Sequence, residues 1–310
     1  MKGGNTLVRL KQFVIPVILL SLLIGTVAAC QPSYQPGVIV DDLGRQISLD
    51  KVPQRIVSHV PSVTEILFAL GLDEKVVGVS DYCDYPETAK LKEKVGGFYN
   101  PSIEKIVELD PDLVFTYEGE ELLMLQFDEL GITYIVFQPE DIDGILNNIE
   151  LVGKITGIES RAEELVEDMQ ARISYVAERV RDAPRPRVFY TYAITDLNNP
   201  WTAGPGSFGN SLISMAGGEN IGAKASTPWP QFSIEEVVSS DPEVIIVSVV
   251  HGTAVTPIEE LKLHPAWRET TAIKHDRIHI IDGNLIERSG PRIVQGLEEM
   301  ARIIHPELFE

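Results

Sequence analysis

Two cysteines are all that the 310 residues contain, so a disulfide framework is excluded as the main source of stability. Basic residues are scarce too: 26 Lys and Arg stand against 46 Asp and Glu, a formal net charge of −20 at pH 7. That balance argues against nucleic acid as a partner and against electrostatic attachment to an anionic membrane. The six histidines are scattered, whereas a zinc or manganese centre wants a cluster of His and carboxylates. No G-x-S-x-G elbow or paired-carboxylate site stands out. Gly204-Pro-Gly206-Ser-Phe-Gly209 matches G-x-G-x-x-G. It lacks an immediately preceding strand and a well-placed downstream acid, and reads as a turn before a helix. Cys83 has no evident base beside it and reads as a buried or semi-buried thiol. No catalytic motif or catalytic cofactor is therefore expected, and a secreted, lipid-anchored enzyme stays open as the alternative from a different class.

What is present begins with one long apolar run. Lys2, Arg9 and Lys11 precede Phe13 to Ala29, which is almost wholly apolar and closes on Val27-Ala28-Ala29-Cys30. Residues 1–29 therefore read as a secretory signal. The cysteine placement resembles a bacterial lipobox, which implies an acylated Cys30 as the first residue of the mature chain and residues 30–37 as a lipidated tether. At 17 residues the run is also at the lower edge of a membrane span, so a transmembrane anchor is the other reading. Loss of residues 1–29 removes three basic residues and no acids, leaving 23 basic against 46 acidic residues. The expected location is the extracytoplasmic face of the cell membrane, periplasmic or cell-surface, as a lipid-anchored monomer.

Near the middle of the chain, Ser160 to Arg181 carries apolar residues at Ala162, Val166, Met169, Ile173, Val176 and Val180. Steps of three and four place them on one stripe. Ser160 and Glu163 have capping-box spacing, and Pro184 and Pro186 stop the helix. A helix of this length spans about 33 Å. It reads as a strut between two lobes or as an ordinary surface helix, and this stretch does not separate the two. Short apolar strands alternate with helices on both sides, which predicts an α/β fold with parallel sheets covered on both faces. Residues 102–115 (SIEKIVELDPDLVF) and 233–246 (SIEEVVSSDPEVII) match in Ser, Ile, Glu, Val, Asp and Pro at the same offsets. Such a repeat implies two related lobes. The expected organisation is an N-terminal lobe over 38–157, an interlobe helix over 158–184 and a C-terminal lobe over 185–310. In parallel sheets ligands bind beyond the carboxyl ends of the strands, where His59, Asp81-Tyr82 and Tyr117 fall.

Two α/β lobes on one long helix, with a lipoprotein signal and no catalytic motif, resemble the helical-backbone substrate-binding proteins of ABC importers (class III periplasmic-binding-protein-like). The cobalamin (vitamin B12)-binding members are the most similar. Three segments carry the resemblance: 55–86 (RIVSHVPSVTEILFALG with VVGVSDYCDYP), 227–237 (TPWPQFSIEEV) and 286–293 (IERSGPRI). It implies capture of cobalamin or a related corrinoid and its delivery to a permease with ATPase subunits. It places Tyr82 against the corrin ring and Asn284, Leu285, Ile286, Glu287 and Arg288 on the facing lobe, with Phe98, Tyr117, Trp201 and Trp229 as further walls. A broad apolar disc with amide fringes calls for flat side chains and a few polar groups; each aromatic is otherwise a core residue. Family members often carry aromatics where this chain has Leu285 and Ile286. The resemblance also implies that Glu104 and Glu235, equivalent acids of the repeat, dock onto permease arginines; otherwise they are first-turn acids favoured by the helix dipole. Haem is the alternative ligand, with His59 as a possible axial ligand to its iron or to cobalt. A ferric siderophore is a third. The unbroken helix implies a small closure and a largely preformed cleft.

Overall fold

The computed structural model describes residues 37–119, 121–192, 196–250 and 258–309. Cys30, the signal segment and nearly all of the tether lie outside the described residues. The first lobe contains strands β1 (Gly37–Val40), β2 (Gln46–Leu49), β3 (Ile56–Ser58), β4 (Val76–Val79), β5 (Glu93–Lys94), β6 (Leu113–Thr116) and β7 (Tyr134–Val136). Its helices are α1 (Pro61–Ala69), α2 (Ile103–Glu108), α3 (Glu121–Leu130) and α4 (Ile142–Thr156). Helix α5 (Glu159–Val180) follows. The second lobe contains β8 (Arg187–Tyr192), α6 (Phe208–Met215), β9 (Glu219–Asn220), α7 (Ile234–Ser240), β10 (Val244–Val249), α8 (Ile258–Leu263), α9 (Thr271–Lys274), β11 (Ile278–Asp282) and α10 (Ile293–Ile304).

Two parallel sheets result. The first runs β5-β4-β3-β6-β7 and the second β11-β10-β8-β9, while β1 and β2 form a separate antiparallel hairpin. Each sheet has its own core. Val57, Ile106, Val114, Phe127 and Val136 pack together in the first lobe. Phe189, Val237, Val247 and Trp267 do so in the second.

The repeat is visible in three dimensions and extends beyond the matched sequence. Ser102 and Ser233 cap α2 and α7 by accepting from the Lys105 and Glu236 amides. Asp110 and Asp241 both follow their helix at φ 45°, a left-handed conformation that Asp tolerates better than most residues. Arg55 at the start of β3 donates through Nε to the Leu109 and Asp110 carbonyls. Arg187 at the start of β8 donates in the same way to the Ser240 and Asp241 carbonyls. In each lobe an arginine thus ties the central strand to the end of the repeat helix and neutralises carbonyls that the helix leaves without partners.

Helix α5 differs from expectation at its start. It begins at Glu159 after Ile158, without a side-chain cap, so Ser160 lies inside the first turn and the capping-box reading is corrected. Five of the six stripe residues are buried, and Ile173 is half-buried. The helix packs on α4 of the first lobe and α10 of the second. The α10 contact is fastened by Arg172, whose Nε and Nη2 each stand 2.9 Å from a Glu298 carboxylate oxygen. On the α4 side, Gly153 meets Ala162 so closely that a Cβ on Gly153 would overlap the Ala162 methyl.

Gly153→Ala separates two effects of opposite sign. Helix propensity alone favours Ala by about 1 kcal/mol. Overpacking a close contact costs about 1–3 kcal/mol. The expected result in urea unfolding is a net destabilisation of up to about 2 kcal/mol; a gain in stability would contradict the close α4–α5 packing.

Candidate ligand-binding site

The carboxyl ends of both sheets carry aromatic walls, each held by its own backbone framework. In the first lobe the chain leaves β4 into a loop whose turn is closed by the Cys83 amide on the Ser80 carbonyl. Lys94 Nζ donates to the Ser80 and Cys83 carbonyls from below. Tyr82 stands out from this loop, 58% exposed. Beside it Phe98 stacks on Tyr117 with ring centroids 3.9 Å apart and planes 16° apart. Tyr99, which sequence reasoning missed, sets its ring edge-on to Phe98 at 5.2 Å and is 80% exposed. His59 lies beneath the stack, its ring centroid 5.7 Å from that of Phe98.

The second wall depends on a pairing of two loops. Thr202 and Gly204 amides donate to the Pro230 and Pro228 carbonyls. This lays 200–204 along 228–232, and Gly204 is required because a Cβ there would collide with the Thr227 carbonyl. Trp201 and Trp229 are thereby presented together, each 38% exposed. Tyr192, the last residue of β8, joins them, with centroids 5.3 Å from Trp229 and 6.5 Å from Trp201. Its place at a strand's carboxyl end was the signal available in the sequence.

Glu287 gives this wall a fixed carboxylate. Ser248 Oγ donates to its Oε1 at 2.6 Å and the Tyr190 hydroxyl donates to the same oxygen at 3.1 Å. Burial, followed by the nearby Glu287 charge, pushes both the Tyr190 and Tyr192 hydroxyls above their ordinary pKa, so both stay protonated donors at neutral pH. Asn284 is nearly buried. Its amide nitrogen donates to Asp282 Oδ1, and its side-chain carbonyl oxygen has no partner.

Arg288 does not offer a free cation to a ligand. Its Nη1 donates to Asp84 Oδ1 at 2.6 Å and Glu65 Oε1 at 3.2 Å, both on the first lobe, and its Nη2 is 3.5 Å from the Tyr82 carbonyl. Arg292 makes a bidentate contact with the same Glu65, at 2.8 and 2.6 Å, and its guanidinium lies 3.9 Å from the Tyr85 ring centroid. Two further expectations need correction. Ile286 is fully buried and packs against the backbone of Gly296, so it is core; its branched apolar side chain follows α10 inward. His59 is 0% exposed, with Nδ1 3.4 Å from Thr116 Oγ1 and Nε2 3.2 Å from the Gly97 carbonyl. In this conformation it cannot ligate a metal in the cleft. Leu285 is half-buried. Cys83 is buried among Ser80 and Thr64 hydroxyls, and burial raises its thiol pKa, which leaves it unreactive. Gly204 to Ser207 form the turn before α6, with Ser207 as its cap and Gly209 already inside the helix.

A model of the periplasmic binding protein family matches residues 56–285. The chain belongs to this family. Among relatives, it is 32% identical over 280 residues to the uncharacterized ABC transporter substrate-binding lipoprotein YvrC of Bacillus subtilis, across 88% of this chain and 87% of that one. It is 32% identical to a cobalamin-binding protein of Halobacterium salinarum, across 84% and 71% of the two chains. Among solved structures, the periplasmic vitamin B12 binding protein BtuF of Vibrio cholerae is 27% identical with a TM-score of 0.70, across 84% and 99%. The periplasmic heme-binding protein RhuT from Roseiflexus is 29% identical with a TM-score of 0.72, across 82% and 99%. The α/β architecture of two parallel-sheet lobes on one helix is that of this family.

The ion cluster makes this periplasmic binding protein acid-sensitive in a defined window. Burial alone would raise the Asp84 pKa, but the Arg288 hydrogen bond and charge outweigh it, and the carboxyl sits below its ordinary value. The Arg172 hydrogen bond likewise depresses Glu298. A depressed carboxylate contributes stability in full above its unfolded pKa and loses it as pH falls through the folded value. Melting temperature should therefore be level from pH 7 to about 5 and fall below about pH 4. Asp84→Asn should flatten that fall; an unchanged acid profile in this variant would contradict the Asp84–Arg288 contact.

Proposed function

We propose that this chain is the lipid-anchored, extracytoplasmic solute-binding component of an ABC importer, and that its ligand is cobalamin or a related corrinoid. The lobes are 38–157 and 185–310, and the ligand lies between the wall of Tyr82, Phe98 and Tyr117 and the wall of Tyr192, Trp201 and Trp229. The observation that carries this reading is the charge state of the site. Flat aromatic faces suit a macrocycle, but haem and ferric siderophores commonly bring carboxylates or other anionic groups. Lys94, Arg288 and Arg292 are all engaged by protein acceptors. The charged group beside the second wall is the Glu287 carboxylate, which lies near Tyr192. Acceptors favour the N–H donors of an amide fringe and repel carboxylates. Similarity to cobalamin-binding relatives points the same way. The exposed Tyr82 hydroxyl favours haem as a second reading, through phenolate ligation of iron.

The unbroken α5, fastened to both lobes, supports a small closure on binding. Glu104 and Glu235 are both exposed, one in the first turn of each repeat helix, and they serve as the docking pair for the permease.

Titration with cobalamin should quench tryptophan fluorescence, and Trp229→Ala should weaken binding about tenfold or more. Absence of quenching, with a Soret shift on adding haem that Tyr82→Phe abolishes, would replace the corrinoid by haem. Reversing both Glu104 and Glu235 to Lys should abolish uptake in cells and leave ligand affinity unchanged; lost affinity would overturn their docking role.

A further inference from the structure

The arginines at the lobe boundary act on the ligand indirectly. Glu65 is on α1 of the first lobe, and its side chain is 2% exposed. Its partners Arg288 and Arg292 come from the second lobe, between β11 and α10. Asp84, from the loop that carries Tyr82, completes the group. Two carboxylates and two guanidiniums make a neutral set, and each guanidinium is held by acceptors from the opposite lobe. Arg292 matches both Glu65 oxygens in a fork, which fixes direction as well as distance. Arg288 divides its nitrogens among Glu65, Asp84 and the Tyr82 carbonyl. One side chain therefore registers the Tyr82 loop against the second lobe and against the buried carboxylate at once.

We infer that Glu65, Asp84, Arg288 and Arg292 form an interlobe latch that sets the cleft before ligand arrives, with Glu65 as its anchor and Arg288 as the positioning residue for the Tyr82 loop. The inference rests on the proposed ligand site only in its affinity consequence. The latch adds a second fixed point to α5. The helix sets the separation of the lobes along its length, and the buried charges set their angle beside the ligand walls. A buried carboxylate flanked by two guanidiniums leaves an uncompensated charge if any member is removed. The angle is therefore held stiffly until one partner is lost. When a binding-competent arrangement is populated only in part, apparent affinity falls by that fraction.

Native-state hydrogen exchange on the full chain without ligand tests the latch directly. In Glu65→Gln, amide exchange should rise at least tenfold in 80–92 and 283–292, segments on opposite lobes. The cores of β6 and β10 should exchange as in the parent. A uniform rise through both cores would mark an ordinary stability loss and overturn the latch, and so would parent-like exchange in both segments. If Glu65→Gln fails to fold, Asp84→Asn at a half-exposed carboxylate serves instead; it should raise exchange in 80–86 alone, and no change there would equally overturn the proposal. Cobalamin titration of the same variant should show roughly tenfold weaker binding. Altered exchange with no cobalamin binding by either parent or variant would leave the latch standing and remove the corrinoid.

Discussion

One buried carboxylate, Glu65, lies between two arginines of the other lobe, and much of the molecule's behaviour follows from that arrangement. Each sheet has a core of its own, so the relation of the lobes depends on the elements that join them. Helix α5 supplies one connection by packing on α4 and α10. The charges at Glu65 supply another. Taking charged groups out of water is costly, and breaking a buried pair costs about 3–5 kcal/mol because the remaining charge has no partner. The contact is thus weak as a source of overall stability and strong as a specifier of geometry.

The same arrangement decides what chemistry the site offers. Arg288 and Arg292 stand where a negatively charged ligand would want them, yet their nitrogens are engaged across the lobe boundary. The charged group beside Tyr192 is the Glu287 carboxylate. A site with aromatic walls and a fixed carboxylate favours a flat ligand with N–H groups over an anionic one. The overall acidity of the chain works in the same direction, since anionic ligands are disfavoured at long range as well as in contact.

Much of this was legible in the sequence because it depends on local signals. Strand and helix positions follow hydrophobic period and turn residues, and the repeat predicted matched helix–turn–strand units before any coordinates. Tyr82, Phe98, Tyr117, Trp201 and Trp229 fall at strand ends or in proline-rich loops, and the structure groups them into two walls. What escaped depends on contacts distant in the chain. The Glu65–Arg292 pair spans 227 positions, and nothing in TEILFALG marks Glu65 as buried and paired. Arg288 was read as a ligand contact because its partners could not be seen. Ile286 belongs to the core because the chain turns inward just before α10, and side-chain direction at an irregular turn has no periodicity to reveal it. The cap of α5 stands two residues before Ser160, at Ile158, because the capping-box spacing falls inside the first turn, where no cap forms.

The central claim is that the arginines serve the lobes and leave recognition to aromatic faces and acceptors. A crystal structure of the protein soaked or grown with cobalamin tests it most directly. The account predicts the macrocycle between the two aromatic walls, amide nitrogens directed at Glu287, and Arg288 still bonded to Glu65 and Asp84. A structure in which Arg288 has left both carboxylates to bind the ligand would contradict it.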